Sequence, residues 1–120
     1  MPFYNGVGTS NRHPYLFSSW IEYWRGMTES YKDDLRCCSC NCRISSYLSD
    51  DEIKKYNDNS SNEKIRKVCG AHVELVAGSQ LYYIAPMCDK CNTEGLQVVI
   101  KAGTKVVPEI SPRIIRNDVR

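Results

Sequence analysis

Two Cys-x-x-Cys pairs, Cys37-Cys38-Ser39-Cys40 and Cys88-Asp89-Lys90-Cys91, stand 47 residues apart in a chain of 120. Such a spacing places two thiolates on one tight turn, and two such turns supply the four sulfurs of a tetrahedral zinc site. The intervening chain must then fold back so that the pairs meet. The expected ligands are therefore Cys37, Cys40, Cys88 and Cys91, and the expected cofactor is a structural Zn²⁺. Seven cysteines are present. Cys38 and Cys42 lie within two residues of Cys40 and are alternatives in the first pair, and Cys69 or His72 could substitute beside the second. Cys69 has a simpler reading as a small core residue. Asn41 and Asn92 each follow a second thiol, where a left-handed residue is common and Asn tolerates it.

The rest of the chain reads as a small α+β domain. Residues 1–17, rich in Pro, Gly, Asn and aromatics, are expected to form an extended arm. Ser19-Trp20-Ile21-Glu22 has the form of a capping box and opens a helix. On it Trp20, Trp24, Met27 and Tyr31 recur at helical spacing as one apolar face. That face is expected in the core, with an aromatic docking surface, centred on Trp20 and Trp24, as the alternative. Ser49-Asp50-Asp51-Glu52 is a second capping box, opening a short helix to about Tyr56. Asn57–Asn62 (NDNSSN) reads as an exposed polar loop. Lys67–Ala77 and Leu81–Ala85 are expected to pair as a hairpin about Gly78-Ser79-Gln80. Leu96–Lys101 and Lys105–Ile110 are a second hairpin candidate, with Pro108 keeping its last strand at an edge. The expected organisation is an arm at 1–17, one zinc-binding domain at 18–110 and a basic tail at 111–120.

Charge and hydropathy narrow the function classes. The formal net charge is +2, and four thiolates with one Zn²⁺ bring it near zero. Residues 96–120 carry a net +3, through Lys101, Lys105, Arg113, Arg116 and Arg120 against Glu109 and Asp118. A generic grip on nucleic acid is thus confined to the last quarter of the chain, where Lys101, Lys105, Arg113 and Arg116 are candidate contacts. No run of 18 apolar residues occurs, so no membrane-spanning helix is expected. The first residues lack the charged start and apolar core of a secretory signal. An intracellular location, in cytoplasm or nucleus or within a larger particle, follows as the expectation. No phosphate-binding loop, nucleophile elbow or paired-carboxylate constellation is visible, and no small-molecule substrate is implied.

The order Cys-x-x-Cys, then Gly70-Ala71-His72-Val73, then Tyr83-Ile84-Ala85-Pro86-Met87-Cys88-x-x-Cys91-Asn92 resembles the zinc-containing HNH, or ββα-metal, nucleases, over about residues 37–92. The resemblance implies a treble-clef-like fold, with a zinc-ribbon-like arrangement as the alternative. It implies that the thiol pairs hold structural zinc, that His72 stands at the general-base position and that Asn92 stands at the final metal-holding position. Ala71 occupies the place of a metal ligand and Tyr83 that of an asparagine. Thr93-Glu94-Gly95 leads into Leu96–Ile100, a β-rich run where that family continues a helix. His72 is accordingly expected to be structural, bonded to a backbone carbonyl or to a side chain of the knuckle. The leading expectation is a non-catalytic zinc module engaging a protein assembly or nucleic acid. An HNH-type endonuclease using His72 and Asn92, and a structural component of a larger particle, are the alternatives.

Overall fold

A computed structural model describes residues 2–6, 12–14, 16–31, 35–59, 63–76, 78–79, 81–93 and 97–109. The expected tail at 111–120, with Arg113 and Arg116, lies outside the described residues. Helix α1 (Trp20–Thr28) starts where the capping box places it, with the Ser19 hydroxyl accepting from the Glu22 N–H. It ends at Glu29, whose φ of 55° is left-handed and whose N–H closes on the Arg25 carbonyl. Helix α2 (Asp50–Asn59) shows the full reciprocal box, Glu52 N–H to Ser49 Oγ and Ser49 N–H to Glu52 Oε1. Burial does not set its length, since Ile53 is its one buried residue. It runs through Asn57, Asp58 and Asn59, the first half of the expected polar loop. The Asn57 side chain explains the extension. Its amide donates to the Ile65 carbonyl and its oxygen accepts the Ile65 N–H, both at 2.8 Å, docking the helix end on a strand.

The described strands form one mixed seven-stranded sheet. In chain order they are β1 (Pro2–Asn5), β2 (Leu35–Arg36), β3 (Arg43–Ser45), β4 (Ile65–Glu74), β5 (Tyr82–Cys88), β6 (Gln97–Val99) and β7 (Val107–Pro108). The expected first hairpin is its centre, β4 and β5 pairing antiparallel from Val68↔Cys88 to Glu74↔Tyr82. Strand β3 lies parallel to the first three residues of β4, and β1 joins the opposite edge from β5 at Val73 and Glu74. The start of the expected arm is thus extended and built into the sheet.

The second hairpin does not form. β6 pairs with β1, and β7 pairs with β5. The turn at Ala102–Gly103, with Gly103 at a φ of 86°, carries the chain around the sheet instead of folding it back on itself. The physical reason is competition for edges. β1 and β5 each offer an unpaired edge backed by core, whereas a hairpin of β6 on β7 would be a marginal two-stranded unit.

Alternation along β4 puts Gly70, His72 and Glu74 on one face, and α1 crosses that face. At Gly70 the helix backbone comes so close that an added Cβ would sit 2.4 Å from the Trp20 carbonyl carbon and 2.5 Å from the Ile21 nitrogen. Glycine is needed there for approach, not for its torsion angles. The buried residues of α1 are Ile21, Tyr23, Trp24 and Arg25. This corrects the expected stripe. Met27 and Tyr31 are exposed, the latter because it lies beyond the left-handed stop at Glu29, where helical spacing no longer applies. Trp24 belongs to the core with Ile84, Met87 and Val73. Gly70→Ala is expected to cost about 1–3 kcal/mol, as overpacking against rigid backbone does. Denaturant unfolding would read this as a lowered midpoint at unchanged slope, and an unchanged midpoint would contradict the contact.

Candidate metal centre

The first Cys-x-x-Cys sits in the turn between β2 and β3, stitched by the Cys37 N–H to the Cys42 carbonyl and the Asn41 N–H to the Cys37 carbonyl. Asn41 is left-handed at a φ of 64°, as its position after the second thiol implies. The second pair straddles the junction of β5 with helix α3 (Asp89–Thr93), a single turn. Asn92 lies inside that turn and has no positive φ, which corrects the parallel expectation made for it. The chain after α3 turns to β6, as the β-rich run requires. Two backbone bonds hold the knuckle in place. The Cys38 N–H reaches the Pro86 carbonyl of β5, and the Lys101 N–H, just past β6, reaches the Cys38 carbonyl.

Here the ligand atoms of Cys37, Cys40, Cys42 and Cys88 all lie within 4.8 Å of one another, a four-cysteine cluster compatible with a metal ion. The Cys40 and Cys88 sulfurs are 3.7 Å apart. Four sulfurs 2.3 Å from a tetrahedral centre would stand about 3.8 Å apart, so the spacing suits an ion of zinc's size. Backbone N–H groups point at two sulfurs, Cys88 N to Cys37 Sγ at 3.3 Å and Cys91 N to Cys88 Sγ at 3.4 Å. Such donors disperse thiolate charge. Cys91, the fourth thiol of the set expected from spacing, is not among the four sulfurs gathered here and sits on the adjoining turn; Cys42 stands with the other three.

The thiols of the cluster shift one another's proton affinity in opposite directions. Burial pushes the Cys40 thiol up, but the Cys42 backbone N–H and the thiols of Cys42, Cys37 and Cys91 outweigh it and bring Cys40 down to about 6. Burial, reinforced by that neighbouring sulfur, pushes Cys42 and Cys91 well above the ordinary thiol range, and burial likewise raises Cys88. The sulfurs ionise together only if a positive charge sits among them.

The remaining cysteines have other surroundings. Cys38 is buried among core side chains, and burial with the neighbouring Cys37 pushes its thiol up to about 12. Cys69 is half-buried, and burial is the chief cause that raises its thiol above the ordinary range.

His72 and Asn92 are not brought to one site. The His72 ring is buried, and its Nε2 lies 2.6 Å from Glu109 Oε2, a carboxylate that also takes the Arg12 guanidinium. The expected partner from the knuckle is therefore replaced by a carboxylate 37 residues downstream. Edge-on contacts to Trp20 at 4.7 Å and Tyr82 at 5.6 Å, between ring centroids, complete the enclosure. Among the described residues, the His, Cys and acidic side chains that gather closely enough to hold a metal are the four cysteines alone.

Around His72, α1 uses its aromatic polar atoms on the terminal segments. Trp20 Nε1 donates to the Arg12 carbonyl, Tyr23 Oη to the Pro108 carbonyl and Trp24 Nε1 to the Lys105 carbonyl. Trp24 is 5% exposed, as the core expectation has it, and Trp20 is half-buried. Of the basic candidates, Lys101 and Lys105 are exposed, with Lys101 Nζ 2.5 Å from Asn41 Oδ1.

Glu109 and Arg12 escaped the sequence reading because nothing local marks them. Glu109 reaches His72 through the pairing of β7 on β5, and Arg12 reaches Glu109 from the segment whose carbonyl Trp20 holds.

Burial lowers the His72 pKa below its ordinary 6.5, and Glu109 partly offsets this. A histidine lowered in the fold costs stability as pH falls below about 6.5. With two histidines in the chain, the His72 ring signals can be assigned by comparison with His13→Asn. Their NMR titration should have a midpoint below 6.5, and Glu109→Gln should lower it further. A midpoint at or above 6.5, or one raised by Glu109→Gln, would contradict this arrangement.

Comparison with protein-family models, curated proteins and solved structures returns no match for the chain.

Proposed function

We propose that the protein is a zinc-stabilised, non-catalytic module that engages another protein in a macromolecular assembly. The observation that carries the reading is the sulfur cluster, whose 3.7 Å Cys40–Cys88 separation suits a tetrahedral zinc–thiolate centre. When bound, the zinc supplies no reaction step. It holds the β2–β3 knuckle, the end of β5 and the first turn of α3 together. The order of knuckle, β4–β5 hairpin and helix opening at the second thiol pair favours a treble-clef-like reading over a zinc ribbon.

Partner choice rests on charge and exposure. A loaded protein near neutrality has little phosphate grip, whereas Leu75, Val76 and Leu81 stand exposed at the far end of the β4–β5 hairpin, the last two at 66% and 71%. Apolar side chains gathered at one turn suit a protein contact better than a nucleic-acid contact. The thiolate ligands suit a reducing compartment, cytoplasm or nucleus. Among the described residues no helix is long and apolar enough to cross a membrane. For the nuclease alternative, the buried His72 would have to leave the Glu109 carboxylate that it meets at 2.6 Å, which does not favour it.

Protein purified without chelator should carry one zinc per chain. Structural zinc contributes an apparent binding energy of about 10–16 kcal/mol near neutral pH, so chelation at pH 7 or Cys88→Ser should abolish the folded NMR spectrum. Cys38→Ser should keep the metal and cost about 1–3 kcal/mol for a hydroxyl placed in the core. Absence of zinc, or a fold indifferent to chelator, would defeat the reading. Incubation with DNA or RNA and Mg²⁺ should give no cleavage, and cleavage abolished by His72→Ala in a folded variant would restore the nuclease. A photo-crosslinking residue at Val76 or Leu81, used in cells, should yield a discrete protein adduct that the exposed Lys55 position does not. Adducts to nucleic acid, or equal adducts at Lys55, would contradict the partner class.

A further inference from the structure

Helix α2 is fastened to the sheet at its two ends. Near its C-terminus Asn57 holds the backbone of Ile65, and at its start Asp50 Oδ1 lies 3.3 Å from Lys67 Nζ. Between these ties it offers the core a single buried side chain, Ile53. A helix held in this way leaves space beneath it. A cavity of about 460 Å³ opens there, between α2, the start of β4 and the first residue of α3. That volume falls within the range of small-ligand sites.

The lining has an apolar part and a charged part. Ile53 and Ile65, both otherwise buried, supply the apolar surface. Lys64, Arg66 and Lys67 stand against Asp50 and Asp89, which leaves one positive charge in excess. Two of the cations are engaged, Lys67 with Asp50 and Arg66 with Asp89 at 3.4 Å. Both pairs are exposed, and exposed pairs of this kind contribute little stability, so they yield to a competing anion. Lys64 differs. Its Nζ lies 2.5 Å from the Asn57 carbonyl and meets no carboxylate among the described residues. Its ammonium has three donors, so two remain for a ligand.

We propose that this cavity binds a small organic anion of single charge, with an apolar body seated on Ile53 and Ile65 and a carboxylate taken by Lys64 and Arg66. One negative charge matches the excess in the lining, whereas a phosphate monoester, at about −2, would overfill it. A bare inorganic anion would leave the isoleucine surface uncovered, so body and charge act together. The site adds a ligand to the assembly role proposed above and uses none of the metal-binding thiols.

The test is NMR titration of the full chain, as purified with its metal, using 4-phenylbutyrate as the probe. Saturable shifts are expected at the Ile53 and Ile65 methyl groups, with a Kd below about 1 mM. 4-Phenylbutanol, which keeps the body and lacks the charge, and acetate, which does the reverse, should each bind at least about tenfold more weakly. Lys64→Gln should weaken the probe by about tenfold, and Asp50→Asn, which frees Lys67, should tighten it. Both positions are exposed, and spectra unchanged away from the cavity would show that each variant is folded. No saturable shift at the two isoleucines in the wild-type protein would overturn the proposal. Equal binding of the alcohol, tighter binding of phenyl phosphate, a folded Lys64→Gln variant with wild-type affinity, or a folded Asp50→Asn variant that fails to bind more tightly would each overturn it too.

Discussion

Sulfur proximity is the constraint on which the rest of the structure depends. Cys37, Cys40 and Cys42 come from one turn and Cys88 from the end of a strand more than forty residues later, yet their ligand atoms converge within 4.8 Å. That convergence fixes the register of β5 against the knuckle. The Cys38 N–H can reach the Pro86 carbonyl and the Lys101 N–H the Cys38 carbonyl only because the two thiol turns are face to face. The same junction takes in the first strand, whose Asn5 side chain touches the carbonyl of Cys91. A sheet whose outer strands are two or three residues long has little cooperative strength of its own. A metal at the thiol cluster would supply the missing cross-link between its ends.

Away from the cluster, α1 serves a second organising role. It lies against β4 at a spacing that only Gly70 allows, and its three aromatic donors catch carbonyls at Arg12, Lys105 and Pro108. The N-terminal and C-terminal segments are thereby brought to the same face, where Arg12 and Glu109 meet over His72. A buried histidine bonded to a carboxylate, which is in turn paired with a guanidinium, leaves few polar atoms unsatisfied where water is scarce. In this architecture His72 joins the segment around Arg12 to the segment around Glu109.

What was legible in the sequence is what local physics determines. Both capping boxes gave their helices, because a Ser hydroxyl and a Glu three residues on interact within one turn. The β4–β5 hairpin was legible from β-branched residues on either side of Gly78, and the two thiol pairs from their spacing. Long-range choices were not legible. β6 and β7 look like hairpin partners, yet each found a better edge, on β1 and β5 respectively. Asn57, read as part of a polar loop, extends α2 because its amide meets the backbone of Ile65. The place of Cys42 in the cluster depends on how the chain leaves the knuckle for β3, which a two-residue interval from Cys40 does not encode.

The measurement that reaches the central claim most directly is zinc K-edge X-ray absorption on the full chain, purified without chelator. A zinc–thiolate centre should give a single shell of four sulfur neighbours at about 2.3 Å, with no nitrogen or oxygen bonded to the metal. A fitted shell containing imidazole nitrogen or carboxylate oxygen, or fewer than four sulfurs, would contradict the thiolate centre around which the fold is argued to be organised.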